Sequence, residues 1–570
     1  MKKFIFLTLL ACVFTLQSNG SVTINRNTFP DERLREALVE EGIDADANGV
    51  LTNEEIENAT YIHVVGAKNL KGLELLPNLE TILLVGDEES YSCITSFDAK
   101  KFSKLSRFEI ENYALTSLDL THQPNMWWFT VKDCLDFSDI KVSSEQDNML
   151  SGQLENLPKL TSMSNCQFVN LYGIEFFKTG IQDIDFSNNP TIEYLWIKGW
   201  EDELYELNSV NVSGCDNLWD LTLDYVSLQS IRVKALSRFY ALALHNCQTK
   251  DLSVENMENL GNITCDDCTI ENLTIKQCPE LTGIACSENK IQTLIIDDSP
   301  NLYSLHAESN KLMWLDMSKV ERVEGDVTNW FVVDNQQPNV QAVKISPTEV
   351  GLKVHPRFDV SRVMNLEVKG QAMTPHEVTV DGIRYFVIYN NAPLVASLVG
   401  ASGCGYIYET KWPYPCLDSN TPDNNLPVTL NIYSWTKHPA SLSLSTYSIS
   451  AMVGEPLVAP VVTRSQDYDG QLSYSSSNKQ VVTVDQNGQL TPVGVGRAVI
   501  TITGTATDYR LAPPAVSYTV EITVPTGVES PSEFSVSSSS PVRYNLQGQR
   551  VNHPQKGQVY IEQGKKRIKN

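Results

Sequence analysis

The most specific chemistry in the chain lies between Asp44 and Glu55, in the run DADANGVLTNEE. Asp44, Asp46 and Asn48, then Gly49, then Glu55 match the calcium-loop pattern D-x-[DN]-x-[DN]-G-x5-E at each fixed position. Side chains at the first, third and fifth positions turn toward one ion while the glycine takes the sharp bend. The Val50 carbonyl, Thr52 directly or through water, and a bidentate Glu55 complete an oxygen shell. The same composition also makes a plain Asp/Asn/Gly turn that does no more than end a helix. That helix is expected in FPDERLREALVEEG, with Phe29, Leu34, Ala37 and Leu38 on one side and Gly42 as its stop. A single loop does not make the paired sensor, so the expected cofactor is a structural calcium that stiffens an amino-terminal cap, with Leu51 pinning the loop to a core.

The second candidate is sulfur. The chain has 12 Cys, and Cys265-Asp266-Asp267-Cys268 invites a zinc or redox reading. A repeat assigns them otherwise. The pattern L-x-x-L-x-[LCA]-x-x-[NC]-x-L recurs from Leu70 onward, most clearly from Phe239, Leu260, Leu281 and Leu302. Subtracting neighbours from Leu218 through Leu302 gives 21 each time, as does Leu105 to Met126. Copies near Leu79, Leu160 and Ile192 fit with longer gaps, which places insertions between turns. A period of about 20–29 residues with this pattern is a leucine-rich-repeat solenoid, whose turns bury their leucine edges only by stacking. Half-repeats from Leu273 and Ile291 show the same spacing, so each turn is expected to carry two short extended segments. In this register Cys134, Cys247 and Cys268 take the ninth position, held elsewhere by Asn289 and Asn310. Cys265 and Cys286 take the sixth, an inward one, and Cys215 and Cys278 share a third column. Small buried thiols suit these columns. Cys404 and Cys416, outside the repeats, are the candidate disulfide.

The second, third and fifth positions of each copy face outward. They hold Trp127, Trp128, Tyr194, Trp196, Trp219, Asp220, Tyr240, Tyr303 and His306. Large aromatics on one face offer rigid contact area with a polar tip, which suits ligand binding; the alternative is that they pack on insertions or on each other. His245 and His306 lack a positioned nucleophile or carboxylate, and no nucleophile elbow, zinc helix or phosphate loop appears in a usable context, so the expected protein is not an enzyme.

These elements sit in a chain with the layout of an exported protein. Lys2 and Lys3 precede an apolar run from Phe4 to Leu16 and then small polar residues, the pattern of a secretory signal peptide. Leu9-Leu10-Ala11-Cys12 loosely resembles a lipobox, so Cys12 is either lipidated or removed with the signal. No later stretch is long and apolar enough to span a bilayer. The 570 residues require several domains. With 69 Asp+Glu against 44 Lys+Arg, the formal charge of −25 disfavours nucleic acid and anionic membranes, leaving calcium, protein or neutral glycan partners.

Beyond about Ile345 the leucine spacing gives way to alternating strand-like runs between Gly, Pro and Asn turns. SSSN-x-x-V-x-T-V-D-x-N-G-x-L followed by VGVGRAVITIT resembles the bacterial Ig-like group 2 domain, over roughly residues 438 to 525. That resemblance implies a spacer module of extracellular proteins without catalytic residues. The amino-terminal portion is similar to exported Bacteroidetes-type leucine-rich-repeat proteins. The end of the chain resembles, in shorter form, the type IX secretion sorting domain; the rival is a plain basic hairpin.

The expected fold is mainly β: a leucine-rich-repeat solenoid, a small β-domain and an immunoglobulin-like β-sandwich. The expected boundaries are 1–20 signal peptide, 21–65 helical cap with EF-hand-like loop, 66–345 solenoid, 346–437 small β-domain and 438–525 Ig-like domain. A flexible linker at 526–541 and a β-tail at 542–570 follow. The function this implies is extracellular or cell-surface recognition of a protein or glycan, with glycan capture for a polysaccharide-utilisation system as the alternative.

Overall fold

The computed structural model describes residues 20–142, 149–166, 168, 170–187, 189–321, 329–414, 424–524, 542–562 and 565–569. They form two compact units. One ends at His438 and takes in Asp508–Leu511; the other is Pro439–Thr507 with the chain from Ala512 onward. The signal peptide with Cys12, the linker 526–541, and Cys416 with its pairing to Cys404 lie outside the described residues. Among those described, no helix is long and apolar enough to cross a membrane.

The first unit opens with helix α1, Glu32–Glu40, where the Asp31 side chain accepts from Leu34 N and so satisfies one of the free amides of the first turn. It buries Leu34, Ala37 and Leu38, the apolar side read from the sequence. Helix α2, Asn53–Asn58, follows the acidic loop and begins with a capping box between Thr52 and Glu55.

Thirteen strands then stack in one sheet, from Tyr61–Val65 to Trp330–Val332. Every pairing in it is parallel, and the regular strands alternate inward and outward side chains: in Tyr194–Lys198 only Leu195 and Ile197 are buried. Partners run Asp220, Ala241, Asn262, Gly283, Ser304, a step of 21 each time. The three longest steps, Thr81 to Arg107, Tyr194 to Asp220 and Ser304 to Trp330, are each 26, so an extra five residues loop out without breaking the ladder.

A second parallel ladder joins Ser230–Lys234, Asp251–Glu255, Asn272–Lys276 and Thr293–Asp297, so these turns do carry two strands. Two left-handed residues make the corners. Asn246, Asp267, Glu288 and Ser309 have φ of 53 to 57° just after the first strand, and Ala235, Asn256, Gln277 and Asp298 repeat the conformation after the second. This region costs little for Asn and Asp, which explains their share of these sites.

The copy expected from Leu160 needs correction. The sheet strands there are Leu150–Leu157 and Leu171–Thr179, and Leu160 lies in the turn between them, its amide bonded to Leu157 O at 3.1 Å. Both edges of a turn carry L-x-x-L spacing, so spacing alone could not say which edge Leu160 belonged to.

The ninth-position column is the polar spine. Asn310 accepts from Ile291 N at 2.9 Å and donates to Cys286 O at 2.9 Å and Ala307 O at 3.1 Å; Asn289 repeats the pattern one turn earlier on Ile270 N and Cys265 O. Gln336 closes the column on Leu312 N and Ala307 O. Cys247 and Cys268 hold it further back, where Cys247 N donates to Cys268 Sγ at 3.3 Å. Cys134, Cys215, Cys265, Cys278 and Cys286 are also buried.

One apolar core runs from Phe29 to Ile432, which joins the solenoid to the strands that follow it. Those strands form a mixed five-stranded sheet containing Ile383–Tyr389 and a four-stranded sheet containing Gly405–Tyr408. The second unit has its own core around Val482, Ile500, Tyr518 and Val520. Its main sheet orders Ser448–Met452, Val516–Thr523, Gly496–Gly504 and Leu472–Ser476. The turn at Asp485 to Gly488 joins Val482–Val484 to Leu490–Pro492, and Gly488 takes a φ of 83°. Residues from Arg543 to Ile568 add a three-stranded antiparallel sheet.

Candidate functional site

The outer face of the thirteen-stranded sheet gathers most of the aromatic positions read from the sequence. Because register is kept, each outward position forms a row across strands. One row runs Arg107, Trp128, Ser151, Gly173, Tyr194, Asp220 and Ala241. Trp196 belongs to the next row, between Glu175 and Thr222.

Tyr194 and Trp196 lie with ring centroids 5.5 Å apart, and Tyr172 meets Tyr194 edge-on at 5.6 Å. A Cβ on Gly173 would fall 2.0 Å from the Tyr194 ring, so glycine is what lets that ring lie down over its neighbour strand. Gly261 does the same for Tyr240, at 2.6 Å. Trp128 and Trp196 are half-buried, their indole N–H groups engaged by Thr130 at 2.9 Å and Asp220 at 3.2 Å. Trp127, Trp219 and Tyr240 are exposed, by 45%, 42% and 53%. Of the exposed rings, Trp127 meets a half-buried one, Trp128, with centroids 6.4 Å apart.

Charged side chains border these rings in ladders. Lys132 lies between Glu111 at 3.5 Å and Glu155 at 3.6 Å, and Arg107 Nε donates to Glu109 at 2.7 Å. Lys198 Nζ sits 5.3 Å from the Trp196 ring and 5.6 Å from Phe177, while Arg107 stands 5.7 Å from Trp127. Burial raises Glu175 above the usual carboxylate range against the pull of Lys198.

Tyr303 and His306 stand apart from this cluster, beyond strands that place Ala241, Asn262 and Gly283 in the row of Tyr194. Both are half-buried, and His306 lies 6.3 Å from Trp330. Trp330, 52% exposed, was missed in the sequence because it follows an insertion, and Tyr61, Tyr172 and Phe177 because their turns match the leucine pattern poorly. The face offers area and charge for contact.

The acidic loop is a separate site. Ligand oxygens of Asp44, Asp46 and Glu55 lie within 4.8 Å of one another. Asp44 accepts from Gly49 N at 3.0 Å and from Asn48 N at 3.2 Å, and Asn48 Oδ1 accepts from Val50 N at 2.8 Å. Glu55 accepts from Ala45 N at 3.0 Å and from Thr52 N at 2.8 Å, and the bonds from Thr52 and Ala45 lower its pKa. Gly49 takes the left-handed bend, with φ of 79°, and Leu51 is fully buried. Three carboxylates around one point, with their outer lone pairs taken by backbone amides, suit a hard divalent cation. Thr52 spends its hydroxyl on the α2 cap, which assigns it to the helix as well as to the loop.

No protein-family model matches the chain, and neither does a curated protein. Among solved structures, an internalin, inlF, from Listeria monocytogenes is similar at 16% identity with a TM-score of 0.34, over 51% of this chain and 85% of that one. The functional domain of InlJ from the same organism is similar at 14% identity with a TM-score of 0.30, over 74% of this chain and all of that one. Listeria InlP is similar at 11% identity with a TM-score of 0.26, over 88% and 98%.

Proposed function

We propose that the protein is a non-enzymatic recognition protein, exported by its amino-terminal signal and displayed outside the cell, which binds a protein partner through the outer face of the long sheet. The observation that carries this reading is the set of exposed rings of Trp127, Trp219 and Tyr240 beside Trp128, Tyr194 and Trp196, which are fixed by hydrogen bonds and stacking. Exposed aromatics held in place lose little entropy on binding, which is what makes such residues dominate interface energies.

In this reading a calcium ion held by Asp44, Asp46, Asn48, the Val50 carbonyl and Glu55 stiffens the cap beside α1 and α2, supported by the convergence of the three carboxylates. Thr52 would contribute directly or through water. The second unit acts as an Ig-like spacer, supported by its mixed, largely antiparallel sheet and separate core. Attachment to the surface runs either through lipidated Cys12 or through the carboxy-terminal sheet.

The test is binding of the mature protein to arrays of extracellular proteins and of glycans, with and without calcium, beside a Trp219→Ala, Tyr240→Ala double variant. A protein hit lost in the variant supports the reading. A glycan hit lost in the variant would replace it with glycan capture, and binding that the variant leaves untouched would remove the face as the ligand site.

A further inference from the structure

At the far end of the solenoid three lysines gather around one opening. A cavity of about 350 Å³ opens between the last turns and the strands that follow them, and Lys290, Lys311 and Lys353 line it. Lys290 and Lys311 hold the same repeat position one turn apart, 311 − 290 = 21. Parallel stacking sets such residues only about 4.8 Å apart along the ladder, so their ammonium groups repel one another. Lys353 comes from a different element, the strand Val350–Lys353. None of the three ammonium groups has a hydrogen-bond or ion-pair partner among the described residues, in a chain whose formal charge is −25. The carboxylate at the rim, Glu271, is engaged by Lys250 at 3.2 Å. Arg357 nearby is spent on Asp297, through two bonds of 3.0 and 2.9 Å.

The floor is aromatic. His355 stacks on the buried Trp314 at 5.0 Å with an interplanar angle of 15°, and Phe358 also lines the cavity. Burial, then Arg357 and Arg384, lower the pKa of His355. The imidazole is thus a neutral flat surface in a positive local field. Gln292 and Asn339 supply amides at the rim. Converging cations with a flat apolar floor and neutral donors around it match one kind of ligand: a ring with hydroxyls that also carries an oxyanion.

We propose that this cavity binds an acidic saccharide unit, its carboxylate or sulfate ester held by Lys290, Lys311 and Lys353 and its ring lying on His355. The site is separate from the aromatic sheet face and stands or falls independently of it.

Titration calorimetry of the full-length mature protein tests this with three disaccharides: a sulfated uronic acid disaccharide, the same without sulfate, and its neutral carboxyl-reduced form. At least one acidic disaccharide is expected to bind, the better one naming the oxyanion, and the neutral one not. Lys290→Gln and Lys311→Gln should each weaken that binding roughly ten-fold. Lys479→Gln, an exposed lysine of the second unit, should leave it unchanged. His355→Ala should weaken the disaccharide but not inorganic sulfate. Equal binding of the neutral form, an equal loss with Lys479→Gln, inorganic sulfate binding as tightly as the disaccharide, or no binding by either acidic form would each overturn the proposal.

Discussion

The indole Nε1 of Trp196 donates to the Asp220 carboxylate on the neighbouring strand at 3.2 Å, and the same oxygen accepts from Thr222 at 2.9 Å. Asp220 therefore fixes the central ring of the aromatic cluster, with Tyr194 on one side and Lys198 over its face. Replacing Asp220 by Ala frees the indole without opening the core. The expected result is partner affinity about ten-fold weaker, with stability changed by no more than about 0.5 kcal/mol. Near-ultraviolet circular dichroism of the free protein should lose tryptophan signal at the same time. Unchanged affinity with a lost tryptophan signal would show that this ring does not serve binding.

A different kind of loss is expected in the spine. Asn310 → Ala leaves Ile291 N–H and Cys286 C=O buried without their partner, and each such group costs about 1–3 kcal/mol. The variant should lose about 2–6 kcal/mol locally, whereas Cys268→Ala, which gives up mainly volume, should lose about 1–2 kcal/mol. Since solenoid turns open in part, hydrogen exchange is the proper measurement: protection of the Ile291 amide should fall in the Asn310 variant before that of distant turns.

The repeat was legible because its inward leucines answer to a fixed step, and Asp220 through Ser304 keep that step. The strands where Leu160 misled lie in turns of other lengths: Trp128 to Ser151 is 23 and Ser151 to Gly173 is 22. Which residues become neighbours across the sheet depends on those lengths, so the place of Glu175 beside Trp196, and of Lys132 between Glu111 and Glu155, could not be read from a leucine pattern. The basic cavity was hidden for a related reason. Lys353 lies far from Lys290 and Lys311 in sequence, and only packing of the later strands against the last turns brings it near. The calcium-type loop was the opposite case, since its residues are contiguous and spacing alone places their oxygens around one point.

Calcium should stabilise the cap if that loop holds it. For a site in the ~0.1–1 mM range, 10 mM calcium adds about 1.4–2.7 kcal/mol to the stability of the unit that binds it. Asp44→Ala should abolish the effect. In chelator a pH effect remains. Folding lowers the Glu55 pKa through its bonds from Thr52 and Ala45, so its contribution is present above the unfolded value of about 4.3 and is lost as pH falls through the folded value. The stability difference between the native protein and Glu55→Gln should accordingly be largest near neutral pH and shrink under acid. A difference independent of pH would mean that shape and not charge makes the cap.

The thiols give the sharpest test of the column assignment. Burial pushes Cys134 and Cys278 up to about 11 and Cys166 and Cys215 up to about 12. Contact with Cys247 together with burial raises Cys268, and contact with Cys286 together with burial raises Cys265. Since the thiolate is the reactive form, iodoacetamide at pH 8 should alkylate exposed Cys93 in the native protein and reach the C-x-x-C pair only after denaturant opens the turns. Peptide mapping across a denaturant series reads both rates. Rapid native labelling at Cys265 and Cys268, or zinc that copurifies and leaves when both are replaced by Ala, would make that pair a reactive site instead of two core residues that fall on successive inward columns.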